Sequence, residues 1–408
     1  MFDLELSWNK PAKDKNQKSA SDHILRVRIS SSSSERGLPL RMAIALDTSQ
    51  SMKGEKLQAA KDACRAVIAQ MRDTDRLELA GFSTDVKPLL KSFPGGKEAV
   101  EAANEAIISL EAMGVTRTDM ALNWIKKALP EETGVVRIGI LITDGHVTNP
   151  QGAILDDVNP LLVQSEQLSS AGISLYTVGL GNAADFNTTF LMDLSTRGRG
   201  AFMYAETPAD LEPQLRERLT ASQAIAIDDA QLKFILQPDV KLKGFCRFRP
   251  DYLPLEETAN GVVAIGSIRT DTPTDVLVKV EIPRLGVGKA LGIRDVLQVQ
   301  LAASCLPNTV ATTAAILYTS NFDKAEEVNS DVETNRAIWG IRENMDVLIR
   351  EANPNRTRQL MKTIEMDAVT YGLTDFSNQV NQLKDELEKT GKLPPDRLTQ
   401  TVVAANKL

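Results

Sequence analysis

The run VVRIGILI at residues 135–142 breaks its apolar character only at Arg137. A strand so uniformly apolar has no face to offer water, so it belongs inside a parallel sheet covered by helices on both sides. Its neighbours in sequence fit that placement. LRMAIAL (40–46), RLELAGF (76–82), VKPLLKSF (86–93), ISLYTVGL (173–180) and the short AFMY (201–204) read as further strands. Between the first two, Leu57, Ala60, Cys64, Val67, Ile68 and Met71 recur at helical spacing over residues 55–71. A second helix is expected from about Lys97. A third, near Thr118, carries Met120, Ala121, Trp124, Ile125 and Ala128. Thr207 followed by Pro208 has the form of a helix cap and first turn. Strands alternating with helices over residues 38–222 predict a doubly wound, Rossmann-like α/β domain with a mostly parallel sheet.

The flanks follow a different period. LELSW (4–8) and HILRVRI (23–29) alternate apolar and polar residues, as half-buried strands do. The intervening NKPAKDKNQKSASD reads as a polar, flexible connection, and SSSSERG (31–37) as a linker. Beyond residue 222, AQLKFIL, GVVAIGSI, DVLVKVEI and RDVLQVQL alternate between Pro-, Gly- and Asp-rich turns, which predicts an antiparallel β-sandwich over 223–307. Four strands are few for a closed sandwich, and the two N-terminal strands lack partners of their own. Pairing the two sets makes the α/β domain an insertion within a sandwich whose first strands lie in residues 1–37. Residues 308–408 are expected to be helical, with stripes at Ile338, Ile341, Met345 and Leu348 and at Phe376, Val380, Leu383 and Leu387. Such stripes either dock on the body of the protein or offer a surface to a partner helix.

A chain of 408 residues predicts two or three domains, and 47 basic against 54 acidic residues, without long runs of either sign, disfavour a nucleic-acid partner. No stretch approaches the roughly 20 apolar residues of a membrane span, and the first residues lack the pattern of a signal peptide. Cys64, Cys246 and Cys305 are too scattered for a zinc site or a disulfide framework and are read as reduced, mostly buried thiols. A cytoplasmic location is expected.

The chemistry gathers at strand ends. In open parallel sheets ligands bind beyond the carboxyl ends of the strands, and the apolar run from Met42 to Leu46 stops there in DTSQS, at Asp47, Ser49 and Ser51. Asp144 stands at the same end of the most apolar strand, in LITDG, and Thr116 lies in the turn GVTRT before a helix. Two carboxylates and three hydroxyls form a hard, oxygen-only set that suits magnesium better than zinc. In this order and register, the five residues resemble the metal-ion-dependent adhesion site (MIDAS) of the von Willebrand factor A (vWA) family. The resemblance covers residues 38–222. It implies that Ser49, Ser51 and Thr116 ligate Mg²⁺ (Mn²⁺ or Ca²⁺ being alternatives), and that Asp47 and Asp144 act mainly through bound water. It also implies that an Asp or Glu of a partner protein completes the shell, with a shift of the domain's last helix when the site fills. An A-type domain inserted in a sandwich is similar to the arrangement in integrin β-subunits.

Other readings are weaker. A haloacid-dehalogenase-type phosphatase wants an acid two residues after its nucleophilic aspartate, where this chain has Ser49. A serine hydrolase wants a glycine-flanked elbow and a histidine base, and the chain has only His23 and His146, both read as non-catalytic. GLGNAA (179–184) matches a dinucleotide fingerprint but comes late in the fold. Arg117 is read either as a solvated surface residue or as a guide for an acidic ligand. The resulting expectation is a metal-dependent protein-binding protein and not an enzyme. The alternatives are a regulatory subunit of an intracellular assembly, beside an ATPase or chelatase, with a structural metal site, and an unrecognised hydrolase.

Overall fold

The computed structural model describes residues 2–31, 37–258 and 261–408, so most of the expected linker lies outside the described residues. The chain forms two compact units: Met1–Arg36 with Ala226–Val380 and Ala405–Leu408, and Gly37–Ile225 with Asn381–Ala404.

The first unit begins with β1 (Phe2–Trp8), β2 (Ala12–Asp14) and β3 (Ser21–Ser31). The second holds β4 (Leu40–Asp47), α1 (Glu55–Gln70), β5 (Arg76–Phe82), β6 (Val86–Pro94), α2 (Lys97–Ile108), α3 (Thr118–Ala128) and β7 (Val136–Thr143). It continues with α4 (Asn159–Ser170), β8 (Ile173–Leu180), α5 (Thr188–Arg197), β9 (Arg199–Ala205) and α6 (Pro208–Gln223). Its sheet has the order β6-β5-β4-β7-β8-β9 and is parallel except at β6, which runs antiparallel to β5.

The apolar runs of β4 and β7 are explained by two separate cores. Met42, Ile44, Leu46, Ile138, Ile140 and Ile142 pack on one face with α1 and α6. Ala43, Ala45, Leu141 and Leu175 pack on the other with residues of α3, α4 and α5. Each such large side chain withdrawn from water contributes about 1.5–3 kcal/mol. Small residues set how closely the helices approach: a Cβ on Gly139 would lie 2.7 Å from the Cγ2 of Ile125 on α3. At the start of α6, the Asp210 carboxylate accepts the Thr207 backbone N–H at 2.9 Å, completing the cap expected at that residue.

The two ends of this α/β segment are fastened side by side. Leu38 N–H donates to Ile225 O, and the Arg72 guanidinium donates to the carbonyls of Gly37, Leu38 and Gln223. Asp75 accepts from Leu40 N and from Arg72. Burial alone would raise its pKa, but the bonds from Arg72 and Gln223 outweigh that and hold the carboxyl below its usual range.

The first unit continues with β10 (Ile225–Leu236), β11 (Lys241–Arg249), β12 (Leu253–Leu255), β13 (Glu257–Thr258), β14 (Val262–Arg269), β15 (Thr274–Ile282), β16 (Gly292–Ala302) and β17 (Val310–Thr319). Two sheets result, β1-β3-β15-β11-β12 and β13-β14-β10-β16-β17-β2. The N-terminal strands do find partners after the α/β segment: β3 pairs antiparallel with β15 along nine residues from Ile29↔Thr274 to Ser21↔Ile282. The structure departs from expectation in two places. The polar connection 9–22 contains β2, which joins β17 in parallel, and the sandwich runs through Thr319, past the expected boundary at 307. The alternation VATTAAILYT that carries β17 was not read as a strand.

The tail holds α7 (Phe322–Ala325), α8 (Ser330–Arg350), α9 (Pro354–Thr370), α10 (Thr374–Thr390) and α11 (Pro395–Lys407). Both expected stripes are buried. Ile338 and Trp339 of α8 pack against Ile24, Cys246, Phe248 and Leu277 on the outer face of the first sheet, so this stripe docks within its own unit. The Arg342 guanidinium lies 4.4 Å from the Phe248 ring centroid and donates to Phe248 O, which lets a cation sit within an apolar contact. The tail is not one helical domain, because residues 381–404 group with the α/β segment. Asp396 of α11 accepts the Ala183 N–H and the Tyr204 hydroxyl, and Thr399 Oγ1 lies 3.1 Å from Thr188 Oγ1.

Candidate metal centre

Asp47 ends β4 and Asp144 directly follows β7, the adjacent parallel strand, so the sheet itself brings both carboxylates to one edge. Both are fully buried. Asp47 Oδ1 accepts the Ser49 N–H at 2.8 Å, which turns the chain sharply after the strand, and Oδ2 accepts the Thr143 hydroxyl at 2.6 Å. Burial pushes the Asp47 pKa up to about 6. The bonds from Thr143 and Ser49 work against that rise, and the charge of Asp144 adds to it.

Past the turn, Ser49 Oγ and Ser51 Oγ are 3.0 Å apart, and Ser51 Oγ donates to Asp144 Oδ1 at 2.7 Å. Thr116 reaches the same place from a third loop. A Cβ built on Gly145 would lie 3.5 Å from both Ser51 Oγ and Thr116 Oγ1. The Thr116 loop is laced to its neighbours: Thr116 N–H donates to Thr148 Oγ1, Thr148 N–H to Thr116 O, Met113 N–H to Thr48 O and Gln50 N–H to Gly114 O. Gly114 makes the turn at φ +78°, where a side chain would also strike Thr84. All five predicted residues therefore converge, from three loops, at one sheet edge.

The donor set fits a hard divalent cation. Every group is an oxygen, and among the described residues no cluster of three or more His, Cys, Asp or Glu competes for the part. Six oxygens at ~2.1 Å around magnesium place adjacent ligands roughly 3 Å apart, and the Ser49 and Ser51 hydroxyls already stand at 3.0 Å. With both Asp47 oxygens engaged by the protein, that carboxylate is suited to orienting the loop and supplying charge.

Sequence reasoning missed three residues. Thr143 and Thr148 hold the ligand loops, and Lys56 Nζ donates to Asp144 Oδ2 at 2.7 Å. Lys56 did leave a signal, since a cation in the first turn of a helix opposes the macrodipole and calls for a nearby anion. Arg117 is neither free nor aimed at a ligand: it forms a two-pronged ion pair with Asp119 at 2.8 and 2.6 Å. His146 is half-buried. His23 is buried in the other unit, bonded to Ser21 Oγ and Lys10 O. In the GLGNAA segment the Ala183 N–H is taken by Asp396 and Gly181 is crossed by the Lys56 stem, so the backbone offers no phosphate cradle there.

A parallel sheet with an oxygen cluster at its carboxyl edge defines a class of metal-site α/β domains. Residues 42–218 match the model of the von Willebrand factor type A domain, and this segment of the chain is a domain of that type. Domains of the family often mediate protein interactions and commonly bind a divalent metal at this edge. Over 274 residues, 65% of this chain, it is 25% identical to an uncharacterized protein of Synechocystis sp., covering 63% of that protein. Over 187 residues it is 27% identical to the inter-alpha-trypsin inhibitor heavy chain H3 of Bos taurus, covering 43% of this chain and 20% of that relative. The chain thus spans less than two thirds of the length of either relative. Among solved structures, a von Willebrand factor type A protein from Catenulispora acidiphila matches with a TM-score of 0.79 at 16% identity, covering 100% of this chain and 96% of that one. The ArnB paralog VWA2 from Sulfolobus acidocaldarius matches with a TM-score of 0.63 at 15% identity, covering 100% of this chain and 99% of that one. At those identities the two structures establish the shared fold alone.

Proposed function

We propose that this protein binds a partner protein by capturing an Asp or Glu side chain through Mg²⁺ held at Ser49, Ser51 and Thr116, with Asp47 and Asp144 as supporting carboxylates. The observation that carries the reading is the convergence of three hydroxyls from two loops beside two fully buried carboxylates. Three hydroxyls fill only part of the shell of six oxygens and carry no charge themselves, so a divalent ion they hold keeps a position that an added carboxylate oxygen can take. When bound, the ion supplies a Lewis-acidic position for a carboxylate oxygen. The protein's own residues hold the loops: Thr143 and Ser49 fix Asp47, Thr148 fixes Thr116, and Ser51 joins the first loop to Asp144. Mn²⁺ or Ca²⁺ could take the same oxygens. The reading is of a binding protein and not an enzyme, acting in the cytoplasm, where three unpaired cysteines are at ease. Among the described residues no helix is long and apolar enough to cross a membrane.

The test is affinity capture from source lysate by the wild-type chain in Mg²⁺, in EDTA, and by Asp47→Ala. Partners retained in Mg²⁺ and lost under both other conditions support the reading. Partners retained under all three would overturn it in favour of a regulatory subunit with a structural site.

A further inference from the structure

Beside the ligand cluster lies a lysine that is not part of the ligand set. Lys56 is in the first turn of α1, where the helix dipole disfavours its charge. Its stem runs across Gly181, whose missing side chain makes the slot: a Cβ there would meet Lys56 Cε at 2.9 Å and Nζ at 3.1 Å. The ammonium ends on Asp144 Oδ2 at 2.7 Å, while the other oxygen, Oδ1, faces Ser51. Lys56 therefore takes the carboxylate oxygen that the hydroxyl cluster leaves over, and it need not leave for a cation to meet the hydroxyls.

We propose that Lys56 is a resident counter-cation of the site, weakening its hold on a divalent ion alone and making retention of that ion depend on an added carboxylate. The inference rests on the reading that the cluster holds such an ion. Two carboxylates and one ammonium leave the site at −1, and a divalent ion takes it to +1. Charge balance then requires one more anion, which a partner's Asp or Glu provides. Without Lys56 the same ion would leave the site neutral and the anion optional. Across this part-buried site like charges a few ångströms apart still repel, so metal and carboxylate binding become linked, each raising the affinity of the other by the same factor. The site would then stay metal-poor until a partner arrives.

Isothermal titration of the purified full chain with Mg²⁺ or Mn²⁺, with and without excess acetate as the carboxylate probe, tests this. Wild type should bind the metal weakly alone and several-fold more tightly with acetate. Lys56→Met and Lys56→Gln should bind the metal alone about tenfold more tightly and lose most of the acetate effect, while Lys56→Arg should behave as wild type. Circular dichroism confirms that each variant is folded, and two neutral variants guard against the failure of one. Equal metal affinity in wild type and both neutral variants would overturn the role of Lys56 and leave the metal site standing. No metal binding in any of them, with or without acetate, would overturn both.

Discussion

Two polar clusters in this molecule, one buried and one part-buried, invite comparison. In the sandwich, Lys13 is 2% exposed, yet its ammonium has three acceptors for its three protons: Ser19 O at 3.2 Å, Ser21 Oγ at 2.8 Å and Ile282 O at 2.8 Å. Burial pulls the Lys13 pKa down to about 8, against the attraction of Glu281, and Ser21 also meets His23. At the edge of the parallel sheet, Asp47 and Asp144 bring four carboxylate oxygens, each with one donor, and Ser49, Ser51 and Thr116 add three hydroxyls. The first cluster is closed: donors and acceptors match, and nothing further is called for. In the second each carboxylate oxygen already has one donor, and it is the gathered hydroxyls of Ser49, Ser51 and Thr116 that keep lone pairs a cation would satisfy. Counting donors against acceptors separates a structural polar cluster from a binding one better than burial or charge alone.

That contrast can be broken by experiment. The largest expected effect is from Asp47→Ala, which removes the acceptor of Ser49 N–H and Thr143 Oγ1 together with one charge. Metal binding followed by titration calorimetry should fall below detection, while melting of the sandwich unit is unchanged. Lys13→Met should do the reverse, costing on the order of 3 kcal/mol in chemical denaturation by stranding buried acceptors and leaving metal affinity intact. Crossed results would dissolve the distinction between a closed and an open cluster.

His23 sharpens the comparison through pH. Burial lowers its pKa to about 4, with the Lys10 carbonyl acting in the opposite direction. The folded ring resists a proton that the unfolded ring accepts near 6.5, so its contribution to stability is complete above about pH 6.5 and is lost as pH falls toward 4. By pH 5 about 2 kcal/mol should be gone, and His23→Gln should flatten that part of the stability–pH curve. The smallest effect is expected from Arg117→Ala, because a partly exposed pair contributes less than about 1 kcal/mol and Arg117 points to Asp119 instead of the metal cluster. A large loss of metal affinity in that variant would mean the Thr116 loop depends on the pair for its position.

Much of this was legible in one dimension, for identifiable reasons. The runs at β4, β7 and β8 are apolar because both faces of the sheet are covered, so pattern alone located the central strands and the edge where Asp47 and Asp144 stand. DTSQS and LITDG were found because ligands lie beyond the carboxyl ends of parallel strands, and GVTRT because its glycine marks a turn just before a helix. What stayed hidden had no period to betray it. β2 is three residues long and contains a lysine, so it reads as a polar connection until Lys13 is seen to be enclosed by carbonyls. α4 and α5 lay in stretches with weak stripes and were not anticipated. The exposure of Cys305, against two buried cysteines, likewise had no mark in the sequence.

The sequence by itself determined the α/β class and the insertion of that segment between strands of a sandwich, and it picked out five oxygen-bearing residues that the fold brings together at one sheet edge. These follow from local periodicity and from the chemistry of single side chains. Only the tertiary structure decided that residues 381–404 join the α/β segment, that Arg117 is spent on Asp119, and that Lys56 shares Asp144 with the hydroxyl cluster. The Arg117 pair is local but depends on the turn before α3, whereas the other two join segments far apart in sequence through the packing of helices on a twisted sheet, and periodicity along the chain carries no record of which distant groups that packing brings together.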